Sequence, residues 1–409
     1  MAGNKLNSRA YFDGIGGGWT FLDKFSCYYD LFHKSGVINT NDQEVEVGAQ
    51  FQAIGPGVRE LHLGNSTLYI GKHRYDPANY FYYNPGAFDA GTSTINIEGY
   101  GNSSQFPSSI ISTNLTYHKV RFVNTGHVNT NNSFFHEVEF TQDGKISGNN
   151  EMVILTVAPG KVLLLSANSN QTITATGEIN ASGNCGNYVT IDAYPVGSQA
   201  TISKSGADVS LNYIVVRGVI ASGGAIFSIT NGADLGMNSG WTFITGTPRD
   251  LYWVSGNGSW NDPAHWSLAS GGSGGECIPT PYDNVVFDGS SGFQPSQAVE
   301  LNASLSFCAD IAWSALNNAP KMKGAGQNQL FVFGSLTFSM TMTNDFQGDV
   351  HFMATSTGKT IQMAGNKLNS RAYFDGIGGG WTFLDKFSCY YDLFHKSGVI
   401  NTNDQEVEV

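Results

Sequence analysis

The feature that most constrains this chain is an unbroken internal repeat. Residues 1–47 recur without a single change at residues 363–409, an offset of 362 positions. A closed globular domain has no use for a duplicate of its own first segment, whereas long identical units are typical of tandem arrays. We therefore expect one full period followed by the opening of the next, so that both ends of the given chain are arbitrary cuts.

The composition favours many short strands joined by turns. Charged residues make up 13% of the chain and glycine accounts for 50 of 409 residues, whereas globular proteins average about 25% charged residues and about 7% glycine. The net charge of −12 disfavours nucleic acid as a partner. No apolar run approaches the roughly 18 residues of a membrane-spanning helix, so we expect no direct membrane insertion.

Short segments of alternating pattern follow one another along the chain. Residues 66–70 (STLYI) and 93–97 (STINI) are variants of one pattern at a spacing of 27, and residues 118–122 (HKVRF) and 136–140 (HEVEF) repeat at a spacing of 18. Such segments, bounded by Gly, Asn, Asp or Ser, are typical of strands divided by tight turns.

The 18-residue spacing predicts parallel stacking. If 18 residues form one coil, each residue lies over its counterpart at about 4.8 Å, and opposite charges then pair outside while apolar groups stack inside. The expected pairs are Lys119 with Glu137 and Arg121 with Glu139 outside, and Val120 with Val138 and Phe122 with Phe140 inside. An antiparallel hairpin would lose both charge matches. The predicted fold is therefore all-β, a parallel β-helix or β-solenoid that forms part of a tandem-repeat filament.

One stretch competes for a helical assignment. Aromatic residues between Trp19 and Phe32 fall at helical spacing, but they also fit an alternation of period two. The flanking glycines and the surrounding strands favour β structure here.

A change of composition at about Leu251 predicts the domain organisation. Trp253, Trp260 and Trp266 are concentrated there beside a Gly/Ser stretch, and we interpret them as a plug over the first coil. Residues 1–250 are then solenoid coils from the later part of one repeat unit. Residues 251–362 are the junction and first coils of the next unit, and residues 363–409 are the identical copy of residues 1–47.

The cysteines offer one plausible bridge. Cys389 repeats Cys27, and in a solenoid a long sequence separation becomes a long axial distance, which rules out most pairs because disulfides need Cα atoms within about 7 Å. Only Cys277 and Cys308 are close enough to meet on adjacent coils. We predict that disulfide, with two buried thiols as the alternative.

An aromatic segment between residues 73 and 89 is the candidate contact surface. We expect it to project as a loop whose flat, hydroxyl-bearing rings suit stacking on sugars or packing against another protein. The alternative is that these rings cover a flank of the solenoid or the neighbouring unit. The candidate surface or glycan contacts are Arg74, Tyr75, Tyr80, Phe81, Tyr82 and Tyr83.

No cofactor or metal site is expected. The carboxylates of Asp262, Asp283 and Asp288 could ligate Ca²⁺ through oxygen, but the chain has no EF-hand or calcium-binding repeat, so capping and turn roles are favoured. An enzyme of the β-helix class needs a convergent set of carboxylates or a calcium cluster with a base. We see no such set and expect no enzymatic activity.

Several longer segments are distinctive, namely WVSGNGSWNDPAHWS, PTPYDNVVFD, LHLGNSTLYI, GKTIQMAGNKLNSRAYFDGIGGGWTFLDKF and SLNYIVVRGVIASGGAIFSITNGADLGMNSGWTF. Together they resemble segments of the giant, SprB-like cell-surface gliding adhesins of Bacteroidota. The resemblance implies a parallel β-helix, export by the type IX secretion route, and display on the cell surface as a long filament. The chain lacks the signal peptide and the C-terminal secretion domain of a complete member, so the export route is implied and not seen.

These observations predict a structural repeat of a long extracellular adhesin filament. It would give reach and repeated weak contacts in gliding motility, since weak contacts gain from repetition. Expected partners are neighbouring identical repeats, surface polysaccharide, and the motility or secretion machinery of the cell surface. The alternative is a β-helix protein that binds or cleaves polysaccharide.

Overall fold

The computed structural model describes residues 3–72, 79–84, 86–99, 108–314 and 316–409. These residues form short strands throughout, apart from one 3-10 turn at Pro263–His265. The chain divides into two compact units, the first containing Met1–Thr230 and Asp234–Phe243 and the second Asn231–Ala233 and Ile244–Val409. Each unit is a β-solenoid of parallel strands, which confirms the predicted fold class.

The strands up to residue 244 follow one another with few long connections. They are β1 Ala10–Thr20, β2 Phe25–Cys27, β3 Leu31–Asn39, β4 Val45–Val47, β5 Phe51–Ala53, β6 Arg59–His62, β7 Thr67–Ile70, β8 Asn79–Tyr83, β9 Ala87–Asp89, β10 Thr94–Ile97, β11 Ser108–Thr113, β12 Thr116–Phe122, β13 Gly126–Asn131, β14 Ser133–Phe140, β15 Gly144–Ser147, β16 Asn150–Val157, β17 Val162–Ser166, β18 Asn170–Asn180, β19 Val189–Tyr194, β20 Ala200–Lys204, β21 Val209–Asn212, β22 Ile214–Arg217, β23 Val219–Ser222, β24 Phe227–Thr230, β25 Ala233–Asp234 and β26 Trp241–Ile244.

The strands after residue 244 are shorter on average. They are β27 Asp250–Trp253, β28 Gly258–Ser259, β29 Trp266–Ser267, β30 Asn284–Phe287, β31 Ala298–Glu300, β32 Leu305–Cys308, β33 Ile311–Trp313, β34 Lys321–Gly324, β35 Gln329–Val332, β36 Leu336–Thr337, β37 Thr343–Phe346, β38 Asp349–Phe352, β39 Lys359–Gln362, β40 Ala372–Phe374, β41 Gly380–Phe383, β42 Phe387–Ser388, β43 Leu393–His395, β44 Val399–Asn401 and β45 Val407–Glu408.

Successive strands of the first unit alternate between two long sheets. One sheet runs β2-β4-β7-β10-β12-β14-β16-β18-β20-β23, and the other includes the intervening strands β3, β5, β8, β11, β13, β15, β17, β19 and β22. Hydrogen-bonded neighbours therefore come from successive coils and run parallel. The helical alternative for residues 19–32 is excluded, since β1, β2 and β3 cover half of that stretch and none of its residues is helical.

Both of the residue spacings found in the sequence occur as coils of the solenoid. In the 18-residue coil, Val120 pairs with Val138 and Phe122 with Phe140. In the 27-residue coil, Leu68 pairs with Ile95. The buried positions alternate along the strands because successive side chains point to opposite faces, which places one apolar row inside each sheet.

Turns of successive coils lie at van der Waals distance from one another. Gly48 begins a turn directly beside Tyr28, and a Cβ atom added to Gly48 would lie 1.8 Å from the Tyr28 carbonyl oxygen. The amide of Asn149 donates to the side-chain oxygen of Asn131 at 3.0 Å, and that of Asn170 donates to Asn149 at 2.8 Å. Such side-chain bonds satisfy turn amides that no strand reaches.

The second unit is built in the same way on separate sheets. Strands β30, β33, β36, β39, β41 and β44 follow one another in one sheet, and β32, β35, β38, β40 and β43 in another. An antiparallel pair, β27 with β29, opens this unit and places Trp253 opposite Trp266.

The two copies of the recurrent sequence fold with the same pairing. Ala10 pairs with Leu31 in the first copy, as Ala372 pairs with Leu393 in the second. The same holds for Leu6 with Cys27 and for Leu368 with Cys389. The described residues of this segment therefore form the same strand pairs in two different neighbourhoods.

Candidate functional site

Residues 79–83 of the aromatic segment form a sheet strand where a projecting loop was expected. Strand β8 pairs with β5 on one side and β11 on the other. Phe81 and Tyr83 point inward and are fully buried, and the Tyr83 hydroxyl donates to the Ala87 carbonyl at 2.8 Å. The prediction that these two residues contact a ligand is wrong, because the alternation of the strand turns every second ring into the core.

Two of the predicted contact residues face outward. Tyr80 and Tyr82 are half-buried on the other face of β8, and the Tyr80 hydroxyl accepts a hydrogen bond from Gln52 Nε2 at 2.9 Å. Arg74 and Tyr75 lie outside the described residues. Tyr80 and Tyr82 therefore stay as candidate contacts.

Residues that sequence reasoning missed form a ladder of stacked rings in the second unit. The ladder follows the strand register from β32 to β43, with neighbouring ring centroids 5.5, 4.6, 4.5 and 4.8 Å apart. Its members are Phe307, Phe331, His351, Tyr373 and Phe394. The first two rings are buried, whereas Phe394 is 38% exposed. No sequence motif marks this ladder, because its members are 20 to 24 residues apart at irregular intervals.

The first copy repeats the last step of that ladder. Tyr11 stacks on Phe32 with ring centroids 4.9 Å apart, and these residues correspond to Tyr373 and Phe394. A lysine lies over the tyrosine in both copies, with Lys34 Nζ 5.0 Å from the Tyr11 centroid and Lys396 Nζ 4.8 Å from the Tyr373 centroid. An exposed ring carrying a cation combines a flat apolar face with a hydrogen-bond donor.

The predicted ion pairs are both present on the outer face of β12 and β14. Lys119 Nζ lies 2.9 Å from Glu137 Oε1, and Arg121 Nε lies 3.0 Å from Glu139 Oε1. A diagonal contact from Lys119 Nζ to Glu139 Oε2 at 2.9 Å joins them into a network. Burial alone would raise the pKa of Glu139, but hydrogen bonds from Lys119 and Arg121 outweigh it and hold that pKa below its usual range.

A second charged network was not predicted. Glu46 Oε1 lies 2.8 Å from Lys24 Nζ and 2.6 Å from Lys72 Nζ. This one carboxylate therefore joins three successive coils. In the other copy, Lys386 Nζ lies 3.0 Å from Glu408. The coil lengths that separate these residues vary, which hides the network from a search at one fixed spacing.

The predicted disulfide between Cys277 and Cys308 is wrong. Cys308 is a free, fully buried thiol, whereas Cys277 and Cys185 are disulfide-bonded. Cys308 lies in β32 in register with Val332 of the next coil, so its side chain takes part in an inward apolar row. Cys27 and Cys389 are also free and buried. A disulfide is typical of proteins outside the reducing cytoplasm.

The junction residues build a core, and their carboxylates cap turns. Trp253, Trp260 and Trp266 are fully buried, and Trp266 meets the other two edge-on with ring centroids 5.0 and 5.1 Å apart. These rings would suit the predicted plug, which stays a prediction.

The three acidic residues of the junction have structural partners. Asp262 caps the 3-10 turn by accepting the Ala264 amide at 2.9 Å. Asp283 accepts two hydrogen bonds from Arg249 at 2.8 Å, and Asp288 accepts the Ser290 amide at 2.8 Å. Among the described residues, no group of three or more His, Cys, Asp or Glu side chains could hold a metal ion.

No helix within the described ranges is long and apolar enough to cross a membrane. Comparisons with protein-family models, with curated proteins and with solved structures find no match for this chain.

Proposed function

We propose that this chain is a repeat of a long adhesin filament on the cell surface, and that it gives reach and repeated weak contacts in gliding motility. The unbroken recurrence, the parallel solenoid fold and the resemblance to giant gliding adhesins support this function. The disulfide is compatible with a location outside the cytoplasm. Export by the type IX route and attachment to motility machinery follow from the resemblance alone.

The observation that carries the proposal is that equivalent residues of the two copies differ in burial: the start of the segment is covered in the second copy, and its end is covered in the first. Leu6 is 39% exposed in the first copy, whereas its counterpart Leu368 is fully buried beneath the preceding coil. There the Asn344 side chain donates to the Lys367 carbonyl at 2.8 Å. In the proposed array, a preceding coil would cover Leu6 of each further copy as it covers Leu368.

The opposite side of the segment shows the reverse. Val45 is 1% exposed in the first copy, where Leu68 of the next coil lies in register with it. Its counterpart Val407 is 39% exposed. A further repeat that continues from Val409 as the chain continues from Val47 would cover this surface with the same apolar partners. Identical neighbours in the same chain are therefore the first partners that we propose.

A longer chain tests this proposal. Residues 1–409 would be extended by a second copy of residues 48–409, and amide hydrogen exchange would be measured in β42–β45. Continuous stacking should slow exchange there roughly tenfold or more, because those amides gain strand partners. A matched chain with a flexible Gly/Ser segment inserted after Val409 should keep the faster exchange. Equal exchange in both extended chains would contradict a continuous array.

The alternative function, cleavage of polysaccharide, has a direct test. Incubation of the chain with neutral and acidic polysaccharides should produce no new reducing ends and no unsaturated products. The appearance of either product would favour the β-helix enzyme over the adhesin.

A further inference from the structure

A polar groove of about 940 Å³ lies in the second unit, at the corner between two sheets. It is lined by residues of successive coils, from β34, β37 and the start of β38 and from the segments before β40 and after β42. The residues that matter most are Lys323, Asp345, Gln347, Asp349, Arg371 and Tyr391. Because coils stack at about 4.8 Å, the groove follows the direction of stacking and presents one turn per step.

The same corner is open in the first unit. A groove of about 630 Å³ there is lined by Asn7, Ser8, Arg9, Tyr11 and Tyr29. Four of these positions correspond to residues that line the larger groove: Asn369, Ser370, Arg371 and Tyr391. No residue equivalent to Lys323, Asp345 or Gln347 lines the smaller groove.

The two copies together show that further coils leave the groove open. In the first unit, the coils after Tyr29 are present, with Gly48 bonded to the Tyr29 carbonyl at 3.1 Å, and the groove beside Arg9 persists. Both tyrosines lose exposure when coils follow them: Tyr390 is 63% and Tyr391 54% exposed, whereas their counterparts Tyr28 and Tyr29 are half-buried. Tyr391 and Tyr29 line the groove in both settings.

The charges of the groove balance one another. Asp345 Oδ2 accepts Lys321 Nζ at 3.1 Å. Asp349 accepts the Arg371 amide at 3.3 Å and lies 3.9 Å from its guanidinium. The lining residues include two cations and two carboxylates, so the groove has no strong positive potential that would attract a polyanion. They instead offer hydrogen-bond donors and acceptors side by side, which suits hydroxyl groups.

An aromatic face completes this chemistry. The Arg371 guanidinium lies 5.8 Å from the ring centroid of Tyr391, and Tyr391 is 54% exposed. Exposed tyrosine faces stack on the apolar faces of sugar rings while the hydroxyl bonds outward. An extended polysaccharide lying along the groove would pass several successive coils, so more than one of its rings can meet the lining residues.

We propose that this groove binds a neutral polysaccharide. In an array, each repeat would form one such groove, partly from residues that precede the recurrent segment and partly from residues within it. Residues 323–349 supply one half, and residues 369–391, equivalent to residues 7–29, supply the other. The inference rests on the proposed adhesin function and names the class of its ligand.

The binding test uses the full chain with two neutral glucans, dextran and laminarin, and with the acidic polysaccharide alginate, by affinity electrophoresis. The chain should be retarded by at least one neutral glucan and less by alginate. Tyr391→Ala should weaken retardation roughly fivefold. Tyr29→Ala is the matched control, because it removes the equivalent tyrosine from the first copy, where no counterpart of residues 323–349 lines the groove. It should change retardation less than twofold.

A second variant changes an exposed residue. Gln347 is exposed in a turn, and Gln347→Trp should block the groove and weaken retardation to a similar extent. Equal losses from Tyr391→Ala and Tyr29→Ala would overturn the two-sided site. Stronger retardation by alginate, or none by either neutral glucan, would overturn the ligand class. The hydrogen-exchange experiment on the extended chain needs no ligand, so a failure of coil continuity is distinguishable from a failure of binding.

Discussion

Phe140 lies directly over Phe122, with ring centroids 4.9 Å apart and ring planes inclined by only 6°. Both rings are fully buried, and the ladder continues on one side to Val157. Burying a phenylalanine side chain stabilises a fold by about 1.5–3 kcal/mol. Inward ladders of this kind supply most of the stacking free energy of a solenoid, whereas exposed ion pairs contribute less.

The first prediction concerns such a ladder. Phe135 is fully buried and stacks on Tyr117 at 5.0 Å, so Phe135→Ala should lower the local free energy of opening by about 3–5 kcal/mol. Amide exchange in β12, β14 and β16 would report the loss, with β34 and β35 as reference strands. Phe134→Ala is the control, because Phe134 is a half-buried neighbour on the outer face, and it should cost under about 1 kcal/mol. Similar losses for both variants would contradict the inward assignment.

The second prediction concerns the pH dependence of the ion-pair network. The pKa of Glu139 is lowered in the folded protein, so its contribution to stability is present above the ordinary pKa of 4.5 and is lost as pH falls through the folded value. Glu139→Gln should reduce the opening free energy of β12–β14 by under about 1 kcal/mol at pH 7. The difference from wild type should shrink as the pH is lowered below 4.5. A difference independent of pH would show that the charge of Glu139 is not responsible.

The third prediction concerns the thiols. Burial raises the pKa of Cys27 to about 12, and Cys308 and Cys389 are also buried free thiols. Iodoacetamide should therefore leave the native chain unlabelled at pH 8, because the thiolate is the reactive form. Unfolding without reductant should expose Cys27, Cys308 and Cys389 alone. Unfolding with reductant should add Cys185 and Cys277. Peptide mass spectrometry would identify each site, and labelling of Cys277 without reductant would contradict the assignment.

The fourth prediction concerns a half-buried histidine. Burial, together with the nearby charge of Lys145, lowers the pKa of His127 to about 4. Its Nε2 atom lies 2.7 Å from Ser147 Oγ. The unfolded chain binds a proton near pH 6.5, so stability should decline as pH falls from about 6.5 to about 4. An NMR titration of the His127 ring should show no protonation at pH 5.5. His127→Asn should remove this part of the pH dependence, and an unchanged profile would assign it elsewhere.

The stacking of the first unit could be predicted because its signal is local. Residues 118–122 and 136–140 carry matching charges and matching apolar positions at one spacing, and a shift of one residue would turn each apolar row to the outside. The register of Lys119 with Glu137 follows from that pattern. The pairing of Leu68 with Ile95 follows in the same way from the 27-residue pattern.

The aromatic run of β8 shows where local reasoning ends. Four successive rings at residues 80–83 do not reveal which face of a strand each will occupy, since every position carries an aromatic side chain. The flanking coils decide which alternate residues of β8 face the core, because Phe81 lies in register with Phe51 on one side and Ile110 on the other. The ring ladder from Phe307 to Phe394 is hidden for a related reason, because unequal coil lengths give it no constant period.

The amino-acid sequence by itself determined that the chain recurs after 362 residues, because identical segments can be compared directly. It also determined that the chain is all-β with parallel strands, because alternation and charge matching are properties of residues within one or two coils. Only the tertiary structure decided that Cys308 stays free, that Phe81 and Tyr83 lie inside, and that Lys323 shares a groove with Tyr391. The physical reason is that turns of different length set which residues of successive coils come together. That geometry accumulates along the solenoid and cannot be obtained from any one segment.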